Sequence, residues 1–333
     1  MRKLLTIIVA FAIISSSSVQ AQKLKKESLG DYKYTQLPSD TRLVGLENYH
    51  VEMSSDYYLD SYEKDNIENA VKLSGFDKIS RTDGKQGAFL IKIWKYPVKI
   101  GDSSKKERVA IKKKDGVETK TRYYHYVAKA TYKYILRIYV NGEEIYMKEN
   151  SGEEVFKGNE SKSSSNAYEN FKSARKKYQS NISKDKVGAL SAQIDEVFGY
   201  PVKKVHIRSA HIKPKKHNYD DYEKVYLDLK AGYNTVKADE NNIDGAKESL
   251  SKAIEGFETI LKESDLSNKK ARINEDITGA LYYNIGHCYL FMKDYAKANE
   301  YYNKGFELKK LLFGGSTLTN LSKDMLERAE ANK

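Results

Sequence analysis

Residues Asp276–Leu312 read DITGALYYNIGHCYLFMKDYAKANEYYNKGFELKKLL, and no other stretch limits the possible folds so strongly. Tyr282, Ile285 and Tyr289 recur three or four residues apart, which gathers them on one face of a helix. After a polar turn at Lys293-Asp294, Ala298, Tyr302 and Gly305 repeat the pattern in a second helix. Gly286, Ala298 and Gly305 are small, so the two helices can approach closely while the large residues interdigitate. The expected unit is therefore a helical hairpin with a close interface.

This spacing resembles the tetratricopeptide repeat, a helix–turn–helix unit of about 34 residues. Tyr282, Ile285, Gly286, Tyr289, Ala298, Tyr302 and Gly305 fall in register on the repeat's packing positions, while Lys310 stands where the family often has Pro. The resemblance implies a non-catalytic interaction architecture, with a concave groove lined by the first helix of each pair. On matching positions that groove would present Ala280, Tyr283, His287 and Leu290. Tyr283, His287 and Leu290 are the candidate partner contacts, and packing against the preceding helix is the competing role for Tyr283 and His287. Ala246, Leu250 and Ala253 have the same spacing as Ala298, Tyr302 and Gly305, which indicates an earlier, degenerate repeat. Its first helix would carry Tyr222, Val225, Tyr226, Leu229 and Tyr233. After Phe313-Gly314-Gly315, Leu318–Ala331 reads as a capping helix, so the helical array spans 219–333 after a basic linker at 213–218.

The N-terminus has a different grammar. Arg2 and Lys3 precede an apolar run, Leu4–Ile14, and the segment ends Val19-Gln20-Ala21. A basic start, a short apolar core and a small-x-small end are the features of a secretory signal peptide. Cleavage after Ala21 would export the chain to the periplasm or the cell surface. The run is short of the roughly 20 residues that span a bilayer, and no transmembrane segment is expected in the mature chain. Cys288 is the only cysteine, so neither a lipoprotein signal nor an internal disulfide is available. Its setting inside a repeat helix suggests a packed thiol.

The chain carries 58 Lys and Arg against 46 acids, a formal charge of +12. Such a balance would suit nucleic acid, but export argues against that partner. The expected partner is a protein or peptide of the cell envelope. The alternative is an anionic cell-surface polymer or lipid, met through Lys112, Lys113 and Lys114 and the 213–216 linker. The 27 tyrosines favour packed and half-wet surfaces over catalysis.

Between the termini the elements read in order. Gln22–Asp40 is polar and suggests a flexible arm. Leu43–Met53 alternates as a strand, Asp60–Ser74 has helical spacing, and Phe76–Ser80 is a short strand. Gly87–Ile100 is a strand with Phe89, Ile91, Ile93 and Lys95 on one side. Gly101–Thr121 looks like an exposed hairpin tip. Tyr123–Val140 alternates over its whole length, and Asn141-Gly142 signals a two-residue hairpin with Glu143–Val155 returning, Ile145 and Met147 sharing a face. A Ser-rich stretch leads to a helix over 167–198, then a strand over 202–212. The fold class is α+β, a mainly antiparallel sheet with helices on one face over 41–212, followed by the all-α array. The element order loosely resembles the exported domain shared by curli-secretion channel proteins and activators of penicillin-binding proteins, which implies a non-catalytic envelope domain.

No Gly-x-Ser-x-Gly, phosphate loop or His-Glu-x-x-His occurs, and no catalytic residue or cofactor is assigned. His206, His211 and His217 are close in sequence. Their spacing places His206 and His211 on opposite faces of a strand, so no metal site is assigned either. A hydrolase built from distant acids is the least favoured reading.

Overall fold

The computed structural model describes residues 23–58, 61–80, 88–213, 217–308 and 315–333. The strands are β1 (Lys23–Thr35), β2 (Asn48–Ser55), β3 (Asp77–Lys78), β4 (Phe89–Lys95), β5 (Lys99–Ile100), β6 (Ser104–Lys114), β7 (Val117–Val140), β8 (Glu143–Lys157) and β9 (Val202–Lys213). The helices are α1 (Ser61–Ala70), α2 (Ser164–Phe198), α3 (Asp220–Ala238), α4 (Ile243–Leu261), α5 (Glu275–Phe291), α6 (Tyr295–Leu308) and α7 (Gly315–Ala331). The chain divides into two compact units, one holding Thr35–Lys203 with Glu327–Lys333 and the other holding the residues up to Tyr34 with Lys204–Leu326. The segment expected to carry the signal peptide lies outside the described residues.

The first unit is the α+β one. Its sheet runs β3-β2-β4-β7, with β5, β6 and β8 also paired to β7. The β2–β3 and β2–β4 pairs are parallel, while β4, β5, β6 and β8 all pair antiparallel with β7. Alternation decides which face is buried. Phe89, Ile91 and Ile93 lie opposite Val140, Ile138 and Leu136, and all but Val140 are buried. Val187, Leu190, Ile194 and Phe198 of α2 and Ile67 of α1 complete that core. Each fully buried aliphatic side chain contributes about 1.5–3 kcal/mol of transfer free energy.

Two tight loops follow from their residues. Asn141-Gly142 has φ of +52° and +84°, and Asp115-Gly116 has +50° and +79°. Positive φ at both central residues is the hairpin pattern that matches strand twist. β8 departs from a plain alternation. The register shifts between Ile138 and Tyr139, so Ile145 and Tyr146 both pack against the core and Met147 is 51% exposed. The expected shared face for Ile145 and Met147 is lost to this bulge, which inserts one residue and reverses the alternation.

The second unit holds two helical hairpins, α3–α4 and α5–α6, and α7. Asn242, Asn274 and Asp294 accept the backbone N–H groups of Gly245, Ile277 and Lys297 at 3.1, 3.2 and 3.1 Å, capping α4, α5 and α6. A Cβ at Gly286 would stand 2.5 Å from the Tyr302 ring, and one at Gly232 would stand 2.5 Å from Leu250. Each hairpin thus seats a large residue of its second helix on a glycine of its first.

Two expectations are corrected in this unit. Lys23–Thr35, read as part of a flexible arm, is strand β1. Val202–Ile212, read as the last strand of the α+β domain, pairs with β1 in a separate two-stranded sheet. Tyr32, Tyr34, Ile207, Ala210 and Ile212 join the core of the helices, and that burial supplies the order which a polar arm lacks.

Candidate interaction site on the helical repeats

The first helix of each hairpin, α3 and α5, faces β9. Asn284 of α5 reads the backbone of Ala210. Its Oδ1 accepts the Ala210 N–H at 3.0 Å, and its Nδ2 donates to the Ala210 carbonyl at 3.0 Å and to Tyr222 Oη at 3.1 Å. Tyr222 Oη donates to the same carbonyl. One residue earlier, Ser209 Oγ lies 2.5 Å from Tyr226 Oη. One earlier again, the Arg208 carbonyl lies 3.1 Å from His287 Nε2. Three consecutive strand residues are therefore held by side chains of α3 and α5. Small residues at 209 and 210 make this possible, because a larger Cβ substituent there would hold the strand away from the helices.

His287 completes the arrangement. A carbonyl can only accept, so Nε2 carries the proton and Nδ1 accepts from Tyr302 Oη at 2.7 Å. Burial lowers the His287 pKa from 6.5 to about 4, which keeps the ring neutral. Burial likewise pushes the Cys288 thiol far above its ordinary range, so it is a packed residue with little thiolate. On the β1 side, Tyr32 and Tyr233 each set their rings 5.2 Å from Phe291. Gly30 has φ +118°, and a Cβ there would stand 2.9 Å from Tyr233 Oη.

The expected partner contacts are all inside this packing. Ala280, Tyr283, His287 and Leu290 are buried, and the position that a bound peptide would take along α5 is filled by the chain's own strand. Their role in the described structure is packing, and the contact role expected for Tyr283, His287 and Leu290 is replaced. Ile285, Gly286, Ala298, Tyr302 and Gly305 are buried, while the half-buried Tyr282 and Tyr289 flank Tyr301 at 6.1 and 5.4 Å. Asn284 is the functional residue that sequence reasoning passed over. A lone amide inside an otherwise apolar helix face was the available signal, since a buried amide needs partners.

Residues 279–310 match the tetratricopeptide-repeat family. The matched segment is the α5–α6 hairpin, which is thus similar to a repeat typical of protein-interaction scaffolds. Comparison with curated proteins gives no match.

Other polar groups cluster away from the repeat packing. On the outward side of the β1–β9 ribbon, Ser28 Oγ lies 3.0 Å from His206 Nε2 and Asp31 Oδ1 lies 2.9 Å from Nδ1. This is the contact order of a Ser–His–Asp relay. Hydrogen bonds from His206 and Lys204 hold the Asp31 carboxyl below its usual range. The side chains of His206 and Asp31 are 46% and 44% exposed, so water competes for each contact. His211 turns instead to Glu223 at 2.8 Å, and His217 to the Lys270 carbonyl at 3.1 Å. Among the described residues no group of three or more His, Cys, Asp or Glu is placed to hold a metal ion. A cleft of about 750 Å³ lies between β2 and α1. There Glu68 accepts the Met53 N–H at 3.1 Å, and burial raises the Glu68 pKa. Lys112, Lys113 and Lys114 stand on the exposed end of β6. No described helix is long and apolar enough to cross a membrane.

Proposed function

We propose that this chain is an exported, non-enzymatic interaction scaffold of the bacterial cell envelope, in which the repeats bind a protein through the outward side of the ribbon they hold. The observation that carries this reading is the clasp on Arg208–Ala210, which fills the groove and turns the opposite side of the strand to solvent. There Lys33, Lys204 and Arg208 are exposed. The basic, apolar and small-residue grammar of residues 1–21 supports export, and with it an envelope setting.

Crosslinking and pull-down of the chain from its own envelope, at low and high salt, test this reading. A protein partner that survives high salt and is lost from Lys33→Glu with Arg208→Glu is the expected result. Capture that ignores these charges, or only salt-labile polymer, overturns it.

A further inference from the structure

The α+β unit carries a feature that is independent of the repeats. Over Ser104–Lys114 and Val117–Tyr123, β6 and β7 form a two-stranded ribbon with no third strand paired to it among the described residues. Its backbone pairing to the body ends at the Tyr124–Ser161 bridge, where Glu107 lies opposite Tyr124, and Arg108 one residue further is paired with Glu160 of the body at 2.6 Å. Seven further residues at about 3.3 Å each carry the tip roughly 20 Å beyond that point. From Ser104 to Lys120 every residue is exposed except Ala110. An isolated hairpin of this kind is marginal in water, so its length needs a reason beyond the stability of the fold.

The composition of the tip supplies one. Lys105, Lys106, Arg108, Lys112, Lys113, Lys114, Lys120 and Arg122 face only Glu107, Asp115 and Glu118 in the ribbon. Arg122 pairs with Glu107, and Lys113 and Lys120 share Glu118. Lys106, Lys112 and Lys114 have no acidic partner among the described residues. Apolar side chains are interleaved with these cations, with Val109, Ile111 and Val117 exposed to 47%, 56% and 66%. Cations at the end of a projecting arm suit a planar anionic surface, whereas a polymer chain is better held along a continuous cationic groove. Exposed branched aliphatics at the same end suit the boundary between headgroups and acyl chains.

We propose that the tip of the β6–β7 ribbon docks on a membrane surface bearing anionic lipid headgroups. Lys112, Lys113 and Lys114 supply the charge, and Ile111 and Val117 enter the interface.

The test uses the full chain with vesicles of phosphatidylcholine alone or mixed with phosphatidylglycerol. Partition onto the mixed vesicles should exceed that onto neutral ones and fall with salt. Each lysine near an anionic surface is worth roughly fivefold in partition, so Lys112→Gln, Lys113→Gln and Lys114→Gln together should lower it on the order of a hundredfold. Residues 1–22 are common to both chains and cancel in that comparison. Cys288 is buried, so a Val117→Cys variant takes a polarity-sensitive dye at the tip alone. Its emission should shift to the blue with mixed vesicles, and a dye at Ser151→Cys on the sheet should not respond. An unmoved dye at residue 117, equal partition of the triple variant, or binding to soluble polyphosphate without binding to vesicles would each overturn the proposal.

Discussion

The Asn284 side-chain amide pairs with both backbone groups of Ala210, at 3.0 Å each way. Seventy-four residues separate the two, so this one amide fixes a strand to a repeat helix that local sequence could not bring together. Asn284→Ala would leave the buried Ala210 N–H without its acceptor, and an orphaned buried group costs about 1–3 kcal/mol. With the contact to Tyr222 also lost, the expected cost is about 2–4 kcal/mol. Denaturant titration measures the loss, and faster hydrogen exchange at the Ala210 amide locates it. A variant as stable as the parent would show that the ribbon is held by its apolar contacts alone.

The neutral His287 ring gives the helical unit an acid dependence. Its folded pKa of about 4 lies below the ordinary 6.5. As pH falls through 6.5 the unfolded chain takes up the proton first. The stabilising contribution is thus complete above pH 6.5 and is lost progressively toward pH 4, by about 3 kcal/mol in all. His287→Gln should remove that slope, even if it costs stability at pH 7. Carboxylates such as Glu27 and Asp31, whose pKa values are lowered, also lose stabilising contributions in acid, but they are common to both chains. Unfolding free energies at pH 7 and pH 4.5 for parent and variant provide the check, and parallel losses would refute the assignment.

Two glycines in helices should respond with opposite signs to the same change. At Gly286 an added methyl meets the Tyr302 ring at 2.5 Å, while at Gly188 of α2 nothing lies within 4 Å. Gly286→Ala overpacks the hairpin and is expected to cost about 1–3 kcal/mol. Gly188→Ala restricts the unfolded chain without a clash and should stabilise α2 by about 0.5–1 kcal/mol. Thermal melts of the two variants decide it. A neutral Gly286→Ala would mean that the α5–α6 interface relaxes more easily than its close approach suggests.

What could be read from the chain was what adjacent residues determine. The Asn141-Gly142 turn, the inward face of β7 from Ala128 to Ile138 and the α5–α6 hairpin all follow from local spacing. The β1–β9 ribbon does not. Ser28 meets His206 across 178 residues, and the positive φ of Gly30 interrupts the alternation that would have marked β1 as a strand. The candidate site failed for a related reason. The repeat pattern identifies which helix face is concave, but not that Arg208–Ala210 of the same chain would occupy it. In the earlier hairpin the pattern Ala246, Leu250, Ala253 was legible. The matching Gly232 was missed because the tyrosines of α3 dominate its periodicity.

Lys95 shows how a polar residue can hold its place in an apolar alternation. It continues the inward face of Phe89, Ile91 and Ile93, is 3% exposed, and donates to Glu63 of α1. Removing one member of a buried pair leaves the other charge without compensation, at about 3–5 kcal/mol when both are fully buried. The Glu63 side chain keeps 27% of its exposure, so water relieves part of that penalty and Lys95→Ala is expected to fall nearer 2–3 kcal/mol, part of it from lost packing. Lys95→Met with Glu63→Gln removes both charges while keeping the volume, and such replacements are often neutral. The double variant should therefore recover most of the loss. Chemical denaturation of Lys95→Met, Glu63→Gln and the double variant closes the cycle. Additive losses would mean that Lys95 contributes through its aliphatic stem and that the ion pair does not couple α1 to the sheet.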